Sequence, residues 1–231
     1  MGGMDARLLL LLSREVTATV DLQEVLDRSF AALRQLMEFD GGAIQLVEDG
    51  ALVAAAAEPE LSDEARAVRI PVGQGVSGGI AASGDPVYIP DVTVDERVHP
   101  EGRKAGLSGG VRSYFGAPLI MGGAPIGVVQ VDAKRIDAFD EQTRTTVLAF
   151  VPTIAAAVLQ ARALDRERDA LSRALRATDG ITQGLAVAKY ALEAGQDDVT
   201  RGAIEDTLRA AREAITQLLG EHPEPGDLRV G

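Results

Sequence analysis

Few side chains in this 231-residue chain could do chemistry, and they gather near its middle. Gly73-x-Gly75-x-x-Gly78 has the spacing of a loop that lays a pyrophosphate on a helix N-terminus. That fingerprint needs a long crossover helix and a parallel strand ending in an acid, whereas here Pro86 follows after about two helical turns. The glycines are read instead as a turn that needs backbone freedom. His99, in Val98-His99-Pro100, is a candidate imidazole ligand for a metal or haem. One imidazole with no Cys, Met or second His nearby is an incomplete ligand set. Asp91, Asp95, Glu96 and Glu101 could hold a cation or orient a ligand's donors, although such loops are commonly just solvated. Arg112, Tyr114 and Gln130 fall on predicted strands, where an inward polar side chain needs a partner. Asp91, His99, Arg112, Tyr114 and Gln130 are therefore the candidate ligand-binding residues, with no catalytic constellation and no metal site predicted.

Composition narrows the field further. Cysteine is absent, which removes disulfides, thiolate nucleophiles, Cys-ligated zinc and iron–sulfur clusters. The formal charge is −12 with Lys and Arg interspersed among acids, which argues against a nucleic-acid or anionic-membrane surface. Aromatics are 3% and Trp is absent, so the core must be built from Ala, Val, Leu and Ile. The run Leu8 to Leu12 is too short for a signal-peptide core and lies among Asp5, Arg7 and Arg14. No segment is read as approaching the roughly 20 apolar residues of a bilayer span. The expectation is a soluble cytoplasmic protein.

The elements that must position these residues follow from pattern. Asp5 to Ala18 reads as a Leu-rich helix, and Asp21 caps a second helix whose buried stripe is Leu22, Val25, Leu26, Phe30, Leu33 and Met37, with Glu24 closing a reciprocal box. Ala43 to Val47 and Ala51 to Ala57 flank Glu48-Asp49-Gly50 as a hairpin, and Ser113 to Met121 and Ala124 to Ala133 flank Gly122-Gly123 as another. Between them, Val76 to Ser83 is a short helix stopped by Gly84, and Val87 to Ile89 is a strand. Asp91 to Gly110 is expected to be a mobile flap with a helical turn around Glu101 to Leu107. From Glu141 the chain reads as helix for about fifty residues. Ala157, Ala161, Leu164, Leu171, Leu175, Leu185 and Leu192 form a heptad seam with polar Arg168, Thr178, Thr182 and Lys189 within it. After a reversal at Gly195 to Asp198, Ile204, Leu208, Ala211, Ile215 and Leu218 form a second seam. Two helices cannot bury both seams, but a dimeric four-helix bundle can.

The block VGQGVSGGIAASGDPVYIPDV, the strand pair VRSYFGAPLIMGGAPIGVVQVDAK and the helix start AFDEQT together make Leu22 to Arg166 resemble a GAF domain, the sensor module of many signalling proteins. The resemblance implies an α+β fold with an antiparallel five- or six-stranded sheet, flanking helices on one face and a ligand cavity on the other. Some members bind haem through a pocket His or bind a cyclic nucleotide. Lys134, Phe139, Asp140 and Glu141 match only part of the cyclic-nucleotide signature, and Asp140 as a helix cap with Phe139 in the core is the simpler reading. The C-terminal helices resemble the dimerisation and phosphoacceptor hairpin of GAF-containing histidine kinases through Asp179, Ile181, Gln183 and Leu185. Thr178 stands where that pattern has its phosphoacceptor His, so Thr178 and Asp179 mark a degenerate phosphoacceptor position.

The expected organisation is an N-terminal helix over 1–20, a sensor domain over 21–166, a helical hairpin over 167–220 and a flexible tail over 221–231. The expected function is a signalling protein that senses a small molecule or partner and transmits that state through a homodimeric bundle. The alternative is a degenerate histidine-kinase-like or phosphotransfer protein acting with a partner kinase or response regulator. GAF-type methionine sulfoxide reductases need redox cysteines, so the chain is expected not to be an enzyme.

Overall fold

A computed structural model describes residues 6–99, 103, 106, 107 and 109–219. The helical turn expected around 101–107 lies largely outside the described residues, as do Asp5, Glu101, His222 and the tail over 221–231. The fold comprises two compact units that divide between Ala163 and Leu164.

The first unit opens with α1 (Ala6–Thr17) and α2 (Leu22–Leu36). Asp21 caps α2 by accepting from the Glu24 N–H at 2.9 Å, which satisfies one of the free donors of the first turn. The reciprocal half of the box does not form. Glu24 instead accepts from the Thr19 hydroxyl at 2.6 Å and pairs with Arg28 one turn on. Next come β1 (Gly41–Glu48), β2 (Ala51–Glu58), the single turn α3 (Asp63–Arg66), β3 (Arg69–Pro71), α4 (Gly75–Ser83) and β4 (Val87–Ile89). The unit closes with β5 (Ser113–Met121), β6 (Ala124–Ala133) and the first part of α5 (Glu141–Glu193). The six strands form one antiparallel sheet in the order β3-β2-β1-β6-β5-β4. Asp140 caps α5 by accepting from the Thr143 N–H at 2.7 Å, and Phe139 is buried beside it.

Strand alternation sorts the sheet into two unlike faces. On one face Phe115, Ala117 and Leu119 of β5, Val129 and Val131 of β6 and Ile44 and Leu46 of β1 pack under Leu12, Val16, Phe30, Leu33, Phe150, Ile154 and Val158 from the three long helices. On the other, a small cluster of Leu52, Ile80, Ala81 and Val128 seats α4. The helix is held there by a glycine turn: Gly73 and Gly75 have φ of +92° and +62°, and Gly84 ends the helix at +75°. Gly116 of β5 lies beneath it, where a Cβ would come within 2.6 Å of both Ile80 Cδ1 and the Tyr114 hydroxyl.

One correction to the sequence reading concerns membrane spans. The most apolar 18-residue stretch of α5 has a mean hydropathy of 1.8, so by length and composition this one described helix could cross a bilayer. In the fold 44% of that stretch is buried, and α5 contributes Phe150, Ile154 and Val158 to the core.

The second unit contains the rest of α5 and α6 (Asp197–Leu219), joined through Gly195 at φ +70°. Within the hairpin its helices meet through small residues. Ala188 and Ala191 of α5 and Thr200 and Thr207 of α6 are its buried positions, and a Cβ on Gly184 would collide with the Thr207 side chain. Small side chains let the backbones approach, which leaves Leu171, Leu175, Leu185, Leu192, Ile204, Leu208 and Ile215 exposed, each by at least 41%. Ala157 and Ala161, read as the start of that seam, are buried in the first unit. The side chain of Leu218 is outside the described residues.

Candidate ligand-binding site

A cavity of about 450 Å³ lies on the α4 face of the sheet. Its walls are apolar, with Ile70 from β3, Val76 from α4, Ile89 from β4 and Val92, Val98 and Val111 from the connecting segment. Polar groups are few and placed on the floor, as in small-molecule sites generally. Ser77 Oγ of α4 donates to Gln130 Oε1 of β6 at 2.7 Å, and the Tyr114 hydroxyl of β5 donates to the same oxygen at 3.0 Å. The two hydroxyl oxygens are 3.4 Å apart. Their hydrogens are thus directed at Gln130 Oε1, which leaves hydroxyl lone pairs and the Gln130 amide N–H groups facing the space. Burial pushes the Tyr114 phenol above its ordinary value, so it stays protonated as a donor.

Asp132, two residues beyond Gln130 on β6, also lines the cavity. Burial, reinforced by the charge of Asp40, raises its carboxyl above the ordinary carboxylate range, with Lys134 acting in the opposite sense. Asp132, Gln130 and Val111 form a wall shared with a second cavity of about 380 Å³, lined further by Asp40, Glu58, Glu60 and Lys134. Arg103 lines the first cavity, with Nη2 donating to the carbonyls of Asp95 at 2.7 Å and Val98 at 3.2 Å. Its Nε is buried without a partner among the described residues.

The structure treats the five sequence candidates unequally. Tyr114 and Gln130 meet on the cavity floor, and His99 lines the cavity while remaining exposed. Asp91 and Arg112 do not line it. They form an ion pair at 3.2 Å that ties the end of β4 to the start of β5. Asp91 also accepts from the Thr93 hydroxyl and N–H, and these bonds with Arg112 hold its carboxyl below its ordinary value. Both side chains are therefore engaged in bracing the loop. Asp95 is likewise paired with Arg97. Among the described residues no group of three or more His, Cys, Asp or Glu could hold a metal. The lining offers haem one exposed imidazole and no second donor of that kind. Phe139 and Asp140, buried and capping, do not reach the cavity.

Sequence reasoning missed Ser77, Arg103 and Asp132. Asp132 was legible, since it shares the strand face of Gln130 by alternation. Ser77 was not, because only the packing of α4 over the sheet brings it to Gln130, 53 residues away in sequence. In the second unit Thr178 and Asp179 are exposed on α5, and the Thr178 hydroxyl donates to the Ala174 carbonyl of its own helix at 3.0 Å.

Comparison with known proteins agrees with this architecture. Nif-specific regulatory proteins of Azospirillum lipoferum and Azospirillum brasilense are each 27% identical over 122 residues, 52% of this chain. The matched part is 20% of their length, so the chain spans only about a fifth of those relatives. The GAF domain of an Acinetobacter phosphoenolpyruvate-protein phosphotransferase aligns with a TM-score of 0.60 and 19% identity over 72% of this chain and 99% of its own. A free methionine-R-sulfoxide reductase of Neisseria meningitidis, in complex with its substrate, aligns with a TM-score of 0.58 and 24% identity over 69% of this chain and 90% of its own. This last likeness corrects the expectation that the chain is not an enzyme. The fold itself carries a reductase, and the lack of cysteine in these 231 residues excludes thiol steps here without excluding catalysis as such. Residues 19–159 match the GAF domain family, and with the sheet, the helix-covered face and the cavity opposite in agreement, the chain belongs to that family.

Proposed function

We propose that the chain is a cytoplasmic regulatory sensor that takes a small molecule into the α4-face cavity and passes its state along α5 to a homodimeric helical bundle. The observation that carries the reading is the Ser77–Gln130–Tyr114 cluster on the floor of an otherwise apolar cavity of about 450 Å³. Regulatory relatives favour signalling as the output.

The route to α5 has a physical basis. Arg162 donates to the Val47 carbonyl at 3.2 Å and to Glu48 Oε1 at 2.9 Å, which latches α5 to the β1–β2 turn. That turn is bonded in turn to the cavity wall: Arg69 donates to the Glu48 carbonyl at 2.8 Å, Val72 donates to the Gly50 carbonyl at 3.0 Å, and Ile70 between them lines the cavity. A ligand that shifts β3 and α4 thereby loads the latch. The exposed leucine face of α5 and α6 supplies the dimer seam, since a second copy buries what the small-residue seam inside the hairpin leaves wet. Partners of such a bundle would be a histidine kinase, a response regulator or another regulatory protein.

Hydrogen exchange on the full chain tests the reading, after thermal-shift screening of a metabolite library. A stabilising compound should protect Gly75–Ser83 and the β1–β2 turn together. Protection confined to α5 and α6 would show that the cavity is not the sensing site. Leu185→Asp should convert the dimer to monomer by light scattering, because an unpaired charge in an apolar seam is strongly disfavoured.

A further inference from the structure

Resting on the reading of the cavity as a ligand site, we propose that its ligand is an organic cation whose protonated amine sits on Asp132 while its apolar body lies against Ile70, Val76 and Val111. Three observations converge on this class. The first is the placement of the carboxylate. Asp132 stands opposite Gly41 on β1 and Tyr114 on β5, and a Cβ on Gly41 would lie 2.9 Å from Oδ1, so the glycine makes room for the carboxylate over the β1 backbone. It is there that the two cavities share a wall.

The second observation is that this carboxylate has no hydrogen bond or ion pair with any described residue, although Asp91 and Asp95 nearby both have guanidinium partners. Its charged neighbours do not supply one. Asp40 is itself acidic and accepts from the Lys134 N–H at 2.7 Å, and the Lys134 ammonium is not within ion-pair distance. A half-buried carboxylate left in this state is disfavoured, and a cation placed on it removes the penalty.

The third observation is the hydrogen-bond polarity of the floor. Ser77 and Tyr114 both direct their hydrogens at Gln130 Oε1, so the two hydroxyls offer lone pairs, and Asp132 offers two more acceptor oxygens. Against these stand the Gln130 amide and the Nε of Arg103, whose Nη2 is already turned to the Asp95 and Val98 carbonyls. An acceptor-rich floor selects a donor-rich ligand. An anionic ligand would meet Asp132 and Asp40 with only the braced Arg103 to receive it.

Calorimetry on the full chain decides the matter with matched probes: primary amines, alcohols and carboxylates on n-butyl, cyclohexylmethyl and 2-phenylethyl skeletons. The amine of at least one skeleton should bind about tenfold tighter than its alcohol, and its carboxylate should not bind. Asp132→Asn should cancel the amine's advantage over its alcohol while leaving the far-UV circular dichroism unchanged. Equal binding of amine and alcohol, or preference for the carboxylate, would overturn the cation assignment and leave the cavity reading standing. If none of the probes bound at millimolar concentration, both would fall.

Discussion

The two faces of the sheet are built from the same strands yet have opposite characters. The helix-covered face buries all five phenylalanines, Phe30, Phe39, Phe115, Phe139 and Phe150, whereas Tyr114 faces the other side. The α4 face has a small apolar cluster, a hydroxyl–amide cluster and a carboxylate with no partner among the described residues, all around open space. One face supplies stability, and its surplus allows the other to remain hollow and partly polar. Alternation makes this possible, because successive residues of β5 and β6 serve opposite purposes without competing for position.

Breaking the first face should be the more costly. Phe150→Ala removes a ring that is 1% exposed, and urea unfolding should show a loss of about 3–5 kcal/mol. A loss below about 1 kcal/mol would contradict the division of labour. On the second face, Gly116→Ala places a methyl against Ile80 and the Tyr114 hydroxyl, and the overpacking should cost about 1–3 kcal/mol. The same change should weaken binding of any cavity ligand, which calorimetry would register. Tyr114→Phe removes one of two donors to Gln130 Oε1 and should cost only about 0.5–1.5 kcal/mol, because Ser77 still satisfies that oxygen.

The smallest effect should have the opposite sign. The carboxyl of Asp132 is raised in the folded state, so between its ordinary and raised values the native protein holds more proton than the unfolded chain. Its contribution to stability is therefore present at acid pH and is lost as pH rises through the folded value. Asp132→Asn abolishes that dependence. Melting temperatures should be slightly higher for the variant at neutral pH, with the gap closing on acidification. A variant less stable at neutral pH would mean that the carboxylate has a stabilising partner.

Much of the scaffold was legible from residues alone. The turns at Asp49-Gly50 and Gly122-Gly123, the stop at Gly84 and the caps at Asp21 and Asp140 are local devices, each decided by backbone angles or a side chain reaching three residues along. The same holds for the extent of α4, bounded by Gly75 and Gly84, and of α5, whose long apolar periodicity runs on through Pro152. The candidate site was legible only in part, since a strand residue's face follows from alternation but its partners do not. Tyr114 and Gln130 could be nominated, whereas Asp91 and Arg112, equally polar and equally close to strands, turned out to satisfy each other.

The seams of α5 and α6 mark the limit most clearly. Two heptad faces exist on these helices, one of Gly, Ala and Thr and one of Leu and Ile, and hydrophobic pattern alone favours the second. Which face meets the neighbouring helix is set by how closely two backbones can approach, a property of the pair and not of either sequence. The sequence by itself determined where elements begin, end and turn, because those choices are made over a few bonds. Tertiary structure decided which small residues touch and which hydroxyls share Gln130, because each depends on a partner well along the chain, 16 residues away for Tyr114 and 53 for Ser77.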